Sequence, residues 1–152
     1  MGQARRPNRY DYSNTGPTDV KMTGPTEILN ASGSCLFGGF VGLRDMVPKM
    51  LAAVTGWEFD EAFQKQAAMR IFNMRHAFNL REGQKPMNVA VPKRLVGEPA
   101  QKEGPVEGVT IDYKTLAKNF FAAMGWDEEG KPSRQSLEAL GGMEDVIKDL
   151  HG

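Results

Sequence analysis

Residues 55–83 read TGWEFDEAFQKQAAMRIFNMRHAFNLREG. Phe59, Phe63, Ala67, Ile71, Met74 and Phe78 recur at intervals of four and three, which sets them on one stripe of an α-helix. Ala62, Met69, Phe72 and Leu80 lie off that stripe, so the helix is expected to be covered on more than one side. Thr55 and Glu58 have the spacing of a capping box at its start, and Gly83 stops it. Arg70 and Gln66 project beside the apolar face. Arg70 is expected to form a structural ion pair, the sharper alternative being a polar contact to a buried cofactor or substrate.

The surrounding chain is read as helical too. Residues 43–54 place Met46, Val47, Met50, Leu51 and Val54 at helical spacing, and Pro48 is tolerable there within a first turn. Thr110 is expected to cap a helix, with Asp112 near its positive end, whose apolar face is Tyr113, Leu116, Ala117, Phe120, Phe121 and Met124; Gly125 ends it, and Trp126 is expected to fold back. Pro132-Ser133 starts a short helix to Leu140, and Gly141-Gly142 separates it from a last one over residues 143–150. No segment alternates as a strand. The fold class is mainly α: an irregular helical domain over residues 28–152, with an extended N-terminal arm at residues 1–27 and a long Pro/Gly-rich wrapping segment. The arm is inferred from Gly16-Pro17, Gly24-Pro25 and the turn-formers Ser13, Asn14 and Thr15, and begins basic with Arg5, Arg6 and Arg9. The wrap covers residues 84–109, where Pro86, Pro92, Pro99 and Pro105 exclude a helix while Met87, Val89, Val91, Leu95 and Val96 are too apolar for a free linker.

Composition narrows the function classes. The 152 residues, with 19 basic and 19 acidic side chains, suffice for one core and give no electrostatic reason to bind nucleic acid or an anionic membrane. No apolar run approaches the ~20 residues of a membrane span, and the polar start resembles no secretory signal. One cysteine among 152 residues fits a cytoplasmic protein without an internal disulfide. Two histidines make a His/Cys zinc site or a serine triad improbable, and there is no phosphate-binding glycine loop. Glu58, Asp60, Glu61, Glu144 and Asp145 read as capping or solvated carboxylates.

What remains is Asn30-Ala31-Ser32-Gly33-Ser34-Cys35-Leu36-Phe37-Gly38-Gly39-Phe40, a loop expected to enter a short helix. Its glycines let a backbone or a bulky ligand come close to Cys35, and Leu36, Phe37 and Phe40 supply an apolar surround. The thiol is either a packed small hydrophobe or a metal ligand. A single cysteine cannot hold an iron–sulfur cluster but can supply one of its four ligands.

Asn30-x-x-Gly33-x-Cys35 resembles the D-x-x-G-L-C motif near the C-terminal end of tungsten-containing aldehyde ferredoxin oxidoreductases. Further matches follow in that family's order: Arg70-Ile71-Phe72-Asn73 with Ala77-Phe78-Asn79-Leu80-Arg81-Glu82-Gly83, then Pro92-Lys93-Arg94, Gly97-Glu98-Pro99 and Gly104-Pro105. The last match runs from Ile111-Asp112-Tyr113 to Met124-Gly125-Trp126-Asp127. The chain from about residue 30 onward thus resembles the family's C-terminal helical domain. The resemblance implies that Cys35 is the fourth ligand of a 4Fe–4S cluster whose other thiolates come from an upstream C-x-x-C-x-x-x-C run. It also implies that Asn30, Gly33 and Ser34 lie on the side of a tungstopterin carrying tungsten or molybdenum. The implied reaction oxidises an aldehyde to a carboxylic acid with ferredoxin as electron acceptor, and the residues of a substrate channel are expected around Arg70 to Phe78.

Two departures matter. Asn30 stands where the family has Asp and loses the charge-assisted acceptor pair; Ser34 replaces Leu and makes the thiol's surroundings more polar, which implies a shifted cluster potential. The chain carries neither the upstream cysteine run nor a pterin-binding domain, so it is expected to be a fragment, a separate subunit or a truncated product, inactive alone, with the remaining domains or subunit of the enzyme as partner. The alternative is a non-catalytic helical module that binds a protein partner, or a relict of the family, with Cys35 as a structural thiol.

Overall fold

The computed structural model describes residues 10–152; the basic start at Arg5, Arg6 and Arg9 lies outside the described residues. Six α-helices make up the described chain: α1 Thr15–Ala31, α2 Leu43–Thr55, α3 Glu61–Arg81, α4 Tyr113–Met124, α5 Arg134–Leu140 and α6 Glu144–His151. Short 3-10 turns occupy Leu36–Val41 and Pro86–Asn88. Among the described residues the β-pairing consists of two isolated bridges, so the mainly helical class holds.

The expected arm is corrected. Residues 15–27 belong to α1, which packs on both α3 and α4. Pro17 is the third helical residue, where its missing N–H would lack an acceptor in any case. Pro25 does sit inside the helix and forfeits a bond to Lys21. Burial of Ile28 and Leu29 against Ala68 and Val47 outweighs that loss. The glycines, read as breakers, are contact points. A Cβ on Gly16 would overlap the Asn119 carbonyl oxygen of α4, so α1 crosses α4 backbone against backbone. The Tyr12 hydroxyl accepts from the Asp112 amide at 3.1 Å, and Asn119 Nδ2 donates to the Tyr12 carbonyl at 2.9 Å. These bonds tie the start of α1 to α4.

α3 begins later than the capping box implies. Asp60 is its cap and accepts from the Phe63 amide at 2.7 Å, whereas the Thr55 hydroxyl donates to the Leu51 carbonyl at the end of α2. The stripe is also displaced: Met74 and Phe78 are exposed, and Ala68, Asn73 and Ala77 are buried. Small side chains let neighbouring helices approach α3 closely, and the large aromatics flank that line. Glu27, also buried, meets the Arg75 guanidinium at 3.0 Å across α1 and α3, an ion pair without hydrogen-bond geometry.

Asp112 rather than Thr110 caps α4, its carboxylate accepting from Thr115 N and Oγ1; these bonds hold the Asp112 carboxyl below its ordinary pKa. Gly125 adopts φ +70° and turns the chain back, so that Trp126 becomes buried as expected. Its indole stacks on His76, with centroids 4.0 Å apart and planes within 5°, and meets Phe120 edge-on at 5.8 Å. Trp126 Nε1 donates to Asn73 Oδ1 at 3.0 Å, and Asn73 Nδ2 donates to the Met69 carbonyl at 2.8 Å. Ser133 caps α5, whose terminal Leu140 carbonyl accepts from both Gln66 Nε2 at 2.9 Å and Arg70 Nε at 2.8 Å. Arg70 therefore holds a helix end instead of the expected ion-pair partner.

Residues 84–109, expected to wrap the helices, form a loop closed largely on itself. Ile111 N donates to the Val96 carbonyl and Gly108 N to that of Gln101. Val96 is buried, Met87 and Val91 are half-buried, and Val89 and Leu95 remain exposed.

Two consequences can be measured. Gly16→Ala lowers unfolding stability by about 1–3 kcal/mol through overpacking against α4. Gly24→Ala, whose Cβ would sit 4.0 Å from the Ala68 methyl, raises it by about 0.4–1 kcal/mol. Urea denaturation of both variants reads the opposite signs; two stabilising changes would refute the close crossing. The second consequence concerns His76. Burial lowers its pKa from 6.5, and the hydrogen bond to the Gly130 carbonyl only partly opposes this. The unfolded chain thus takes up the proton first. The imidazole's contribution is complete above pH 6.5 and is lost as pH falls from there through the lower folded value. The thermal midpoint is expected to fall between pH 7.5 and 5, and His76→Phe to flatten that dependence.

Candidate functional site

The C-terminal turn of α1 delivers the cysteine loop. Ile28 and Leu29 are anchored in the core, and Asn30, one residue on, is exposed. The Asn30 carbonyl accepts from Gly33 N at 3.2 Å, and Ser32 N donates to the Ile28 carbonyl at 3.0 Å. The Ser32 hydroxyl is hydrogen-bonded to the Leu29 carbonyl at 2.7 Å and to Ser34 Oγ at 2.9 Å. Ser34 is thereby turned toward the end of α1 and half-buried.

Gly33 reverses the chain at φ +74°, a conformation glycine adopts without cost, and among the described residues beyond its two chain neighbours no atom lies within 4 Å of where its Cβ would be. Cys35 follows in extended conformation at φ −67°, ψ 130°, and its carbonyl accepts from Gly38 N at 2.9 Å to start the 3-10 turn. The thiol is free and exposed. Leu36 and Phe37 beside it are exposed rather than folded around it, and the Phe40 side chain lies outside the described residues. The four residues singled out from the sequence, Asn30, Gly33, Ser34 and Cys35, thus share one short connection. Space opens at Gly33, and a single soft donor stands at the surface.

Among the described residues no three His, Cys, Asp or Glu side chains come together as a metal site. The donor set does not suit a metal centre closed within these residues. The exposed Cys35 leaves one soft donor accessible to a group presented from outside these residues, and one cysteine can supply one of a cluster's four ligands. Elsewhere, α3 contributes His76, Asn79 and Leu80 to an apolar groove of about 420 Å³ shared with Leu116 and Phe120 of α4. Of the stretch expected to line a substrate channel, Arg70 is engaged with α5 while His76 faces this groove. The Arg70 and Asn73 partners were not foreseeable from spacing, since both lie more than fifty residues away in the chain.

The exposure of the thiol is directly testable. A maleimide is expected to label the native chain once, at Cys35, at a rate within about threefold of that in denaturant. Protection until unfolding would mean that the thiol is packed.

The family model described as "Aldehyde ferredoxin oxidoreductase, domains 2 & 3" matches residues 4–141. The chain is 34% identical over 140 residues to the tungsten-containing aldehyde ferredoxin oxidoreductase of Pyrococcus abyssi, covering 89% of this chain and 23% of that protein. The Pyrococcus furiosus protein of the same name is 34% identical over 117 residues, 76% of this chain and 19% of the relative. That of Thermococcus kodakarensis is 34% identical over 115 residues, 75% and 19% respectively. The chain thus spans about a fifth to a quarter of the curated relatives it matches. No solved structure matches it at the significance these relatives reach. In its sequence and its mainly helical build, the chain belongs to the aldehyde ferredoxin oxidoreductase family, in the region of that enzyme's domains 2 and 3.

Proposed function

We propose that this chain is the helical, cluster-contacting part of an aldehyde ferredoxin oxidoreductase and that Cys35 supplies one thiolate to a 4Fe–4S cluster whose other three ligands lie outside it. The reaction converts an aldehyde and water into a carboxylic acid, two protons and two electrons, which leave singly to ferredoxin. A tungstopterin, with tungsten or molybdenum, supplies the oxygen-transfer chemistry when bound, and it is held mainly by parts other than this chain. The observation that carries the reading is the placement of Cys35. Its thiol is exposed on a glycine-opened loop, at the end of a helix whose preceding residues are locked in the core. That setting argues against the alternative of a packed structural thiol.

This chain's residues have positioning tasks. α1 fixes the direction in which Cys35 is offered. Gly33 leaves room for a bulky group beside the loop. Asn30 is the pterin-side residue; its amide offers one uncharged acceptor where the family's carboxylate offers two. Ser34, bonded to Ser32, contributes to that side through its backbone more than through its hydroxyl. The chain alone turns over no aldehyde on this reading, and its setting is the cytoplasm, where a free thiol stays reduced.

The test is anaerobic expression together with the segment that carries the C-x-x-C-x-x-x-C run, whether it lies in the same protein or is separately encoded. Iron and tungsten analysis and electron paramagnetic resonance then follow, for the native chain and for Cys35→Ser. A cluster signal in the native complex that the variant loses or shifts is the expected result. Identical iron content and spectra for the two complexes would refute the ligand assignment.

A further inference from the structure

Gly24-Pro25 is the pair of helix breakers that the close crossing of α1 and α4 does not account for. Gly24 keeps a negative φ within α1, so its backbone does not require glycine. Its packing does not require glycine either. A Cβ there would meet the Ala68 methyl and Met69 Cε at 4.0 Å, an ordinary contact, whereas one on Gly16 would overlap a carbonyl oxygen. Glycine and proline are the two poorest residues for a helix interior, and here they stand side by side. A local rule broken without a packing reason marks a place where the sequence serves something other than stability.

Both residues line one recess of about 600 Å³ between α1 and α3, reached at one edge by Ala123 of α4. Pro17, Val20, Ile28 and Met69 extend its apolar wall, and Gly24 itself is buried. Lys21, Lys65 and Glu61 also line it. All three are exposed, and among the described residues none of them has an ion-pair partner. The volume lies within the ~300–1,000 Å³ of small-molecule sites, which are mostly apolar and carry a few polar groups that fix orientation.

We infer that this recess binds a small organic carboxylate with an apolar body, the body over Gly24, Ile28 and Met69 and the carboxylate at Lys21 and Lys65. The charges select the ligand. Two ammonium groups against one carboxylate leave one net positive charge, which complements a monoanion, and Glu61 counts against a dianion. A cation with the same body meets repulsion from both lysines. The missing side chain at Gly24 leaves the room that the apolar body fills. The inference uses no residue of the Cys35 loop and stands apart from the cluster reading.

The native chain is titrated at pH 8 with decanoate, decyl phosphate and decyltrimethylammonium, each below its micellar range, by isothermal titration calorimetry. Amide chemical shifts locate the decanoate. Gly24→Leu and Lys21→Ala/Lys65→Ala are compared with the native chain. Saturable binding of one decanoate per chain is expected, at least about tenfold tighter than either other probe, with shifts concentrated in residues 20–28 and 61–69. The lysine variant is expected to bind decanoate about tenfold more weakly, and Gly24→Leu to lose saturable binding because its side chain takes the place of the ligand. Circular dichroism checks folding; if Gly24→Leu does not fold, the lysine variant and the shift map decide. No saturable decanoate binding at millimolar concentration overturns the proposal. So does binding that the lysine variant leaves unchanged or that the cationic probe equals, since either means apolar adsorption alone. Tighter binding of decyl phosphate overturns the choice of a carboxylate, and shifts confined to other surfaces overturn the site.

Discussion

The hydrogen bond from Trp126 Nε1 to Asn73 Oδ1 lies where α3, α4 and the turn after α4 meet, and neither group can be placed there without the other. An indole N–H or an amide buried without a partner costs about 1–3 kcal/mol, whereas the paired groups cost little. Asn73 is doubly committed, because its amide also donates to the Met69 carbonyl one turn back in α3. The indole plane is then set, and His76, Phe72 and Phe120 pack around it at 4.0–5.8 Å. The rest of the C-terminal half is placed from this point. Gly125 brings Trp126 in, Gly130 sits against the Phe121 ring, and the chain leaves toward α5, whose end is caught by Gln66 and Arg70.

The helices of that half were legible because their signals are local. Gly125, Ser133 and Gly83 act within a few residues of themselves, as caps and stops do. α1 was illegible for the opposite reason. Gly16-Pro17 and Gly24-Pro25 carry the local signature of turns; what makes the first helical is the close Asn119 backbone, more than a hundred residues away in sequence, and what holds the second is Ala68 of α3 beside Gly24 and the burial of Ile28 and Leu29. Glycine in a helix interior costs about 1 kcal/mol, a loss recovered here by the close approach of two helices. The displaced stripe of α3 has the same origin. Periodicity favours the large residues Met74 and Phe78 for the core, yet the close approach selects Ala68 and Ala77.

The cysteine loop was legible as a place and not as an environment. Glycine content and the lone thiol singled out the stretch around Cys35, the resemblance to the D-x-x-G-L-C motif picked Asn30, Gly33 and Ser34 within it, and the structure brings the four into one connection. Whether Leu36 and Phe37 would fold over the thiol or away from it depends on tertiary packing, which no spacing encodes. Arg70 shows the complementary limit. A cation beside an apolar face implies a partner of opposite charge, but a helix C-terminus with unsatisfied carbonyls serves equally well.

The two ends of the molecule are stabilised in different ways, and the difference bears on what the thiol can do. Around Trp126 the polar groups are satisfied by distant partners, so that region is held by its tertiary structure. Around Cys35 the hydrogen bonds are local, among Ile28, Leu29, Asn30, Ser32, Gly33 and Ser34, while the preceding helix is anchored by apolar burial. A loop built this way has a defined root and an uncommitted tip. A core thiol requires neither property, whereas the donor role proposed for Cys35 requires both: a rigid element that sets its position, and an open surface that leaves it accessible to a group presented from elsewhere.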